Sequence, residues 1–198
     1  DVEPDRLELA RQLLDLVVVQ VVFERECLKV RQLDESALLG TLDEVRALSL
    51  SSFACEKGEA IGCRRVGRAY FSGLLGVPRD PARAVPKLRK ACAGGDLEGC
   101  DLLAHMTAEG QGTAPDPALA EALYVKVCRA GGAPSCTHLG VRYATGQGFA
   151  RDLESAVLSL QRACALGHAP GCVELARLYG TGEGVRRDER YAVELLQR

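Results

Sequence analysis

Cysteine returns along this chain at a fixed interval, and that interval constrains the fold more than any other feature. Nine cysteines stand at positions 27, 55, 63, 92, 100, 128, 136, 164 and 172. Eight form four C-x7-C pairs, whose first members lie 37, 36 and 36 residues apart. A period in this range is the signature of stacked repeats, each burying one face against its neighbour. Other residues keep the same time. A loop ending in aspartate recurs as Gly76 to Asp80, Gly112 to Asp116, Gly148 to Asp152 and Gly184 to Asp188. Alanine follows four residues later, at Ala84, Ala120, Ala156 and Ala192. Seven residues after each second cysteine comes Tyr70, Thr107, Tyr143 or Tyr179. The extra residue of the first repeat falls around Gly73 to Gly76, in a loop, where insertion costs little.

Each repeat reads as two helices. The loop aspartate is a good N-cap for the second helix, B, because its carboxylate can accept the orphan amide hydrogens of the first turn. Pro81 and Pro117 follow where a missing N–H costs nothing. Gly94, Gly131 and Gly167 are expected to end the B helices in the left-handed conformation. Pro86 lies inside a B helix and predicts a kink or a late start. The first helix, A, begins near the second cysteine and carries apolar or small residues three, four and seven positions beyond it. These are Val66, Gly67 and Tyr70, then Leu103, Ala104 and Thr107, then Leu139, Gly140 and Tyr143, then Leu175, Ala176 and Tyr179. That spacing is one face of a helix, and the small residue at the fourth position admits a close neighbour.

Leu139, Gly140, Tyr143, Gly146, Gly148, Phe149, Asp152 and Ala156 recur as Leu175, Ala176, Tyr179, Gly182, Gly184, Val185, Asp188 and Ala192. In these residues the chain resembles the Sel1-like repeat, a helical-hairpin relative of the tetratricopeptide repeat. The Ala-Cys-x-x-Gly-x-x-x-x-Cys variant looks like the cysteine-rich, secreted bacterial branch. The second repeat departs from it at Thr107 and Thr113. The resemblance implies an all-α, right-handed α/α superhelical solenoid over 55–198, as four repeats of which the last is truncated. Residues 1–54 are expected to be an N-terminal helical cap, read as a worn-down repeat. They hold one of the 21 glycines and a net charge of −5, against +3 for the remainder. Leu7 to Leu33 reads as one long helix or two, and Ser36 to Lys57 as another. An atypical terminal unit suits a solenoid, whose open end needs cover.

The paired cysteines admit three readings: disulfides, a zinc site or free structural thiols. Seven intervening residues is not a zinc-ligand spacing. Each pair also brackets a tight turn between helices, within reach of a disulfide. The pairs expected are Cys55–Cys63, Cys92–Cys100, Cys128–Cys136 and Cys164–Cys172, with no metal and no cofactor. Bridges imply the periplasm, the cell surface or the medium, with the mitochondrial intermembrane space as the alternative. Cys27 is left over, as a buried thiol or a partner to something else. The pattern also expects an Ala-Cys beyond Arg198.

A net charge of −2 gives no support for nucleic-acid binding as the main role. No apolar run is long enough to span a bilayer; the longest, Leu13 to Phe23, contains Asp15 and Gln20. The three histidines, His105, His138 and His168, occupy different repeat positions and form no repeated ligand set. No common nucleophile, zinc-protease or phosphate-loop motif is present. The cysteine-rich branch imports one alternative, a β-lactam-binding or cell-wall hydrolase, but no serine starts an S-x-x-K. Binding is the expected role instead. The resemblance places the A helices on the concave face. Their outward positions there are Arg65 and Arg68; Leu102, His105 and Met106; His138 and Arg142; and Glu174 and Arg177. This mostly basic set suggests a monomeric scaffold taking a protein or extended peptide, with a carboxylate as the natural target of arginine.

Overall fold

The computed structural model describes residues 35–197, with side chains from Glu44 onward. The readings for Leu7 to Leu33 and Cys27 lie outside the described residues. The chain divides into two compact units, Asp1–Arg46 and Ala47–Arg198. Helix α1, Glu35–Glu56, matches the expected helix there within a residue at each end.

The second unit is a row of helical hairpins, and its described residues contain no strand. The A helices are α2 (Ala60–Ser72), α4 (Leu97–Glu109), α6 (Ala133–Thr145) and α8 (Ala169–Thr181). The B helices are α3 (Pro81–Ala93), α5 (Pro117–Arg129), α7 (Leu153–Ala165) and α9 (Glu189–Leu196). Each A helix packs along the B helix that follows it, and that B helix packs on the next A helix. A helices also touch across repeats, α2 with α4 and α6 with α8.

Repeated local chemistry builds each hairpin. Asp80, Asp116, Asp152 and Asp188 accept from the amide three residues on at 3.0–3.1 Å, capping the four B helices. The same aspartates donate their own backbone N–H to the carbonyls of Tyr70, Thr107, Tyr143 and Tyr179 at 2.7–3.0 Å. This bond fastens each B helix to the last turns of its A helix. It also explains why tyrosine can give way to threonine at 107: the bond is made by the backbone. Thr107 turns its hydroxyl back onto the Leu103 carbonyl at 2.7 Å.

Between hairpins the cysteines are bridged in the four expected pairs, with Cα atoms 4.4–4.7 Å apart. The sulfurs are thereby tied in twos, which removes the zinc and free-thiol readings for all eight. One turn detail differs from expectation. Gly94 has φ −77°, and the left-handed residue of that junction is Gly95, at φ +88°. Gly94 is needed for space, since a Cβ there would lie 2.8 Å from the Ala60 Cβ. Pro86 does not delay its helix, because α3 starts at Pro81 and runs through it. Pro86 and Ala82 both face solvent, so water can satisfy the carbonyl that loses its partner.

The core fills each hairpin and continues across the junctions into the next. Leu88, Tyr124 and Leu160 occupy the same B-helix position and are all 0% exposed. Gly140 is fitted to one of them: its Cβ would lie 2.6 Å from Leu160 Cγ. Gly67 stands in the same relation to Leu88. Four intrachain bridges point to an oxidising, extracytoplasmic setting, and no described helix is long and apolar enough to cross a membrane.

Candidate functional site

The A-helix face is where the repeats stop resembling one another. Between α2 and α4 a hollow is lined by Arg64, Arg68, Phe71, Ser72, Glu98, Asp101 and Leu102. Arg64 is committed internally, to Asp96 at 3.0 Å and to Glu98. Arg68 stands exposed at the rim. From Phe71 a line of rings crosses the repeats. Phe71 meets His105 edge-on at 6.3 Å, His105 lies 6.5 Å from His138, and His138 lies 5.6 Å from Tyr124. Tyr124 and Tyr143 both pack against Phe149, at 6.4 and 5.7 Å.

Charges thread this line. Arg142 lies over the rings of Tyr124 and Phe149, 5.9 and 5.6 Å from their centres. It pairs with Glu109 and donates to the Gln147 carbonyl at 3.2 Å. Asp101 accepts from Ser135 and faces His138 Nδ1 at 3.4 Å. Burial alone would raise the Asp101 carboxyl, but its bonds to His138 and Ser135 outweigh that and hold it below the usual carboxylate value. Burial pushes His105 below the ordinary histidine value; Glu109 and Asp101 oppose this, and the charges of His138 and Arg142 add to it. Glu109 is held low, chiefly by its hydrogen bond from Arg142. The Tyr124 hydroxyl is pushed up to about 12, first by burial.

Placed against expectation, the predicted residues separate into groups. Arg68 and Leu102 share the α2–α4 hollow, while Arg65 faces a different one beside Ala54 and Ile61. His105, His138 and Arg142 meet along the ring line. Met106 is corrected: it is 0% exposed and packs in the core with Leu103 and Val127, so it cannot meet a partner. The sixth position after the second cysteine points inward, as Ala69 and Leu178 also show at 1% and 0%. Glu174 and Arg177 lie on α8 and pair with each other at 3.1 Å, while Arg177 also reaches Glu183 at 3.0 Å. Phe71, Asp101 and Tyr124 are not singled out by the sequence, and Phe149 only as a residue of the repeat loop. Their signal was present as departure from the repeat: tyrosine at 124 stands where the neighbouring B helices carry Leu88 and Leu160.

The family model of the Sel1 repeat matches residues 60–96, 97–132, 133–168 and 169–198. Among solved structures, a protective antigen of uropathogenic Escherichia coli with this fold is 28% identical, over 75% of this chain and 32% of that one, with a TM-score of 0.70. A Sel1 repeat protein of Oxalobacter formigenes has a TM-score of 0.71 at 24% identity, over 76% and 60% of the two chains. Cysteine-rich protein B of Helicobacter pylori is 26% identical, over 67% and 94%, with a TM-score of 0.52. The chain thus spans about a third of the Escherichia coli protein's length. No curated protein matches it.

Proposed function

Because the chain belongs to the Sel1 repeat family, we propose that it is a non-enzymatic interaction scaffold that holds an extended peptide or protein segment along its A-helix face. One observation carries this reading. Caps and bridges repeat from hairpin to hairpin, whereas the A-helix face changes, with Arg65, Leu102, His138 and Glu174 at one equivalent position. On that face, released from the rules that repeat the framework, aromatic and imidazole rings of neighbouring repeats converge into one line. The hollow between α2 and α4 offers Phe71 and Leu102 for apolar contact, with Arg68 at its edge. That is a natural anchor for a carboxylate-bearing segment. The four bridges support a working place in the periplasm, at the cell surface or in the medium.

A random-peptide phage selection against the oxidised protein tests this. Selected peptides should lose at least tenfold in affinity to Arg68→Glu. Peptides that bind with no dependence on any A-helix residue would overturn the reading. Turnover of nitrocefin by the oxidised protein would replace it with the β-lactam alternative.

A further inference from the structure

Two departures from the repeat meet in space, and neither is explained by folding. Arg142 takes the inward sixth position that holds Ala69, Met106 and Leu178 elsewhere, all 0–1% exposed. Tyr124 takes the B-helix position of Leu88 and Leu160. A guanidinium and a phenol have thus been placed together where the neighbouring hairpins use hydrocarbon. Burying such groups costs stability unless each is fully paired. They are not fully paired: Tyr124 is 0% exposed, and its hydroxyl has no hydrogen-bond partner. Arg142 opposes the rise of the phenol's pKa by its charge and by a side-chain approach looser than a hydrogen bond. Its ionic partner, Glu109, has a side chain 45% exposed, so that pair opens toward solvent. His138, at 47% side-chain exposure, and His105 stand beside it.

We infer that this cluster is a carboxylate pocket: Arg142 receives a carboxylate of the bound segment, Glu109 is the resident carboxylate that the ligand displaces, and that displacement uncovers the buried Tyr124 hydroxyl, which then donates to the ligand. The inference rests on the A-helix face being a peptide groove and names the group that groove selects. A cationic ligand does not suit the site, because Arg142 already fills the cation's place over two rings. Asp101 does not repel the ligand strongly, since Ser135 and His138 engage it. A single guanidinium matches the single charge of a carboxylate, bound through two parallel hydrogen bonds.

The probe is N-acetylphenylalanine, compared with its amide, with the His105 and His138 Cε1–H resonances of the oxidised protein as readout. The acid should shift both saturably and the amide should not. Glu109→Gln, which removes the internal competitor, should tighten binding of the acid at least fivefold. Arg142→Met restores the residue type of position 106 and should abolish binding; Tyr124→Phe should weaken it severalfold. Equal binding of acid and amide, or no gain in Glu109→Gln, overturns the pocket, and neither comparison depends on a core variant folding. An unchanged affinity in Tyr124→Phe removes the hydroxyl's role. The broader reading fails separately. Phage-selected peptides that need Arg68 but ignore Glu109→Gln and Arg142→Met keep the groove and reject the pocket. Absence of any peptide dependent on the A-helix face rejects the groove, while the acid–amide comparison still decides the pocket.

Discussion

The junctions between hairpins and the A-helix face are made from the same helices but follow opposite rules. At each junction a cysteine pair, a left-handed glycine and a close helix approach recur in the same register. On the face, equivalent positions hold Arg65, Leu102, His138 and Glu174 in turn. The junction repeats because every hairpin solves the same problem, that of docking the next one at a fixed angle. The face varies because nothing in that docking constrains it. Within one chain, internal repetition therefore separates residues that build the array from residues free to recognise something.

The strongest way to break this comparison is to remove the junctions. Each bridge closes a loop with a sequence separation of 8, worth about 2–3 kcal/mol by loop entropy. Reduction of all four should therefore unfold the repeats at or near room temperature, read by circular dichroism with and without reductant. Thiol titration of the denatured, unreduced protein should find no more than one of the nine cysteines free. A smaller effect is expected at Gly140→Ala. The new methyl would press on Leu160 and on the Ala156 carbonyl, 3.0 Å away. A loss of about 1–3 kcal/mol in urea unfolding is expected, although alanine occupies the same position at Ala104 and Ala176.

In the ring cluster behind the face the expected sign reverses. Tyr124→Phe removes a buried hydroxyl with no partner and should stabilise the free protein by about 1 kcal/mol. A loss of stability in urea would show that the hydroxyl belongs to the framework. The smallest effect concerns pH. The folded state holds His105 below the ordinary histidine value of about 6.5, so the unfolded chain takes up that proton first. Stability should therefore fall as pH drops through about 6.5 and be insensitive to His105 above it. Melting temperatures at pH 7.5 and 5.5 should differ more in the native protein than in His105→Gln.

Much of the fold was legible because short-range rules set it. Caps at Asp80, Asp116, Asp152 and Asp188, helix ends and bridges each depend on a few neighbouring residues. The candidate site was only half legible. Helical spacing placed His105, His138 and Arg142 on the A helices, but the inward sixth position could not be told from an outward one without the next repeat in place. Hence Met106 was put on the surface. Tyr124 was missed because it arrives from a B helix, across a distance no sequence window spans. Gly94 was mistaken for Gly95 because two adjacent glycines can each serve, and only the packing against Ala60 decides.

The bridges also have a mechanical consequence. Tension applied to the two ends of the array cannot open a junction, since the covalent path runs through the sulfurs. It peels hairpins apart one at a time: the last, beyond Cys172, is bounded by a single bridge, and the others lie between Cys63 and Cys92, Cys100 and Cys128, and Cys136 and Cys164. Each of these others would release roughly 100 Å of chain, at about 3.3–3.6 Å per residue, and would re-form between undisturbed anchors when the load is removed. A protein so stapled behaves under load as a chain of separate springs, and a partner held across two hairpins would feel the first of them give.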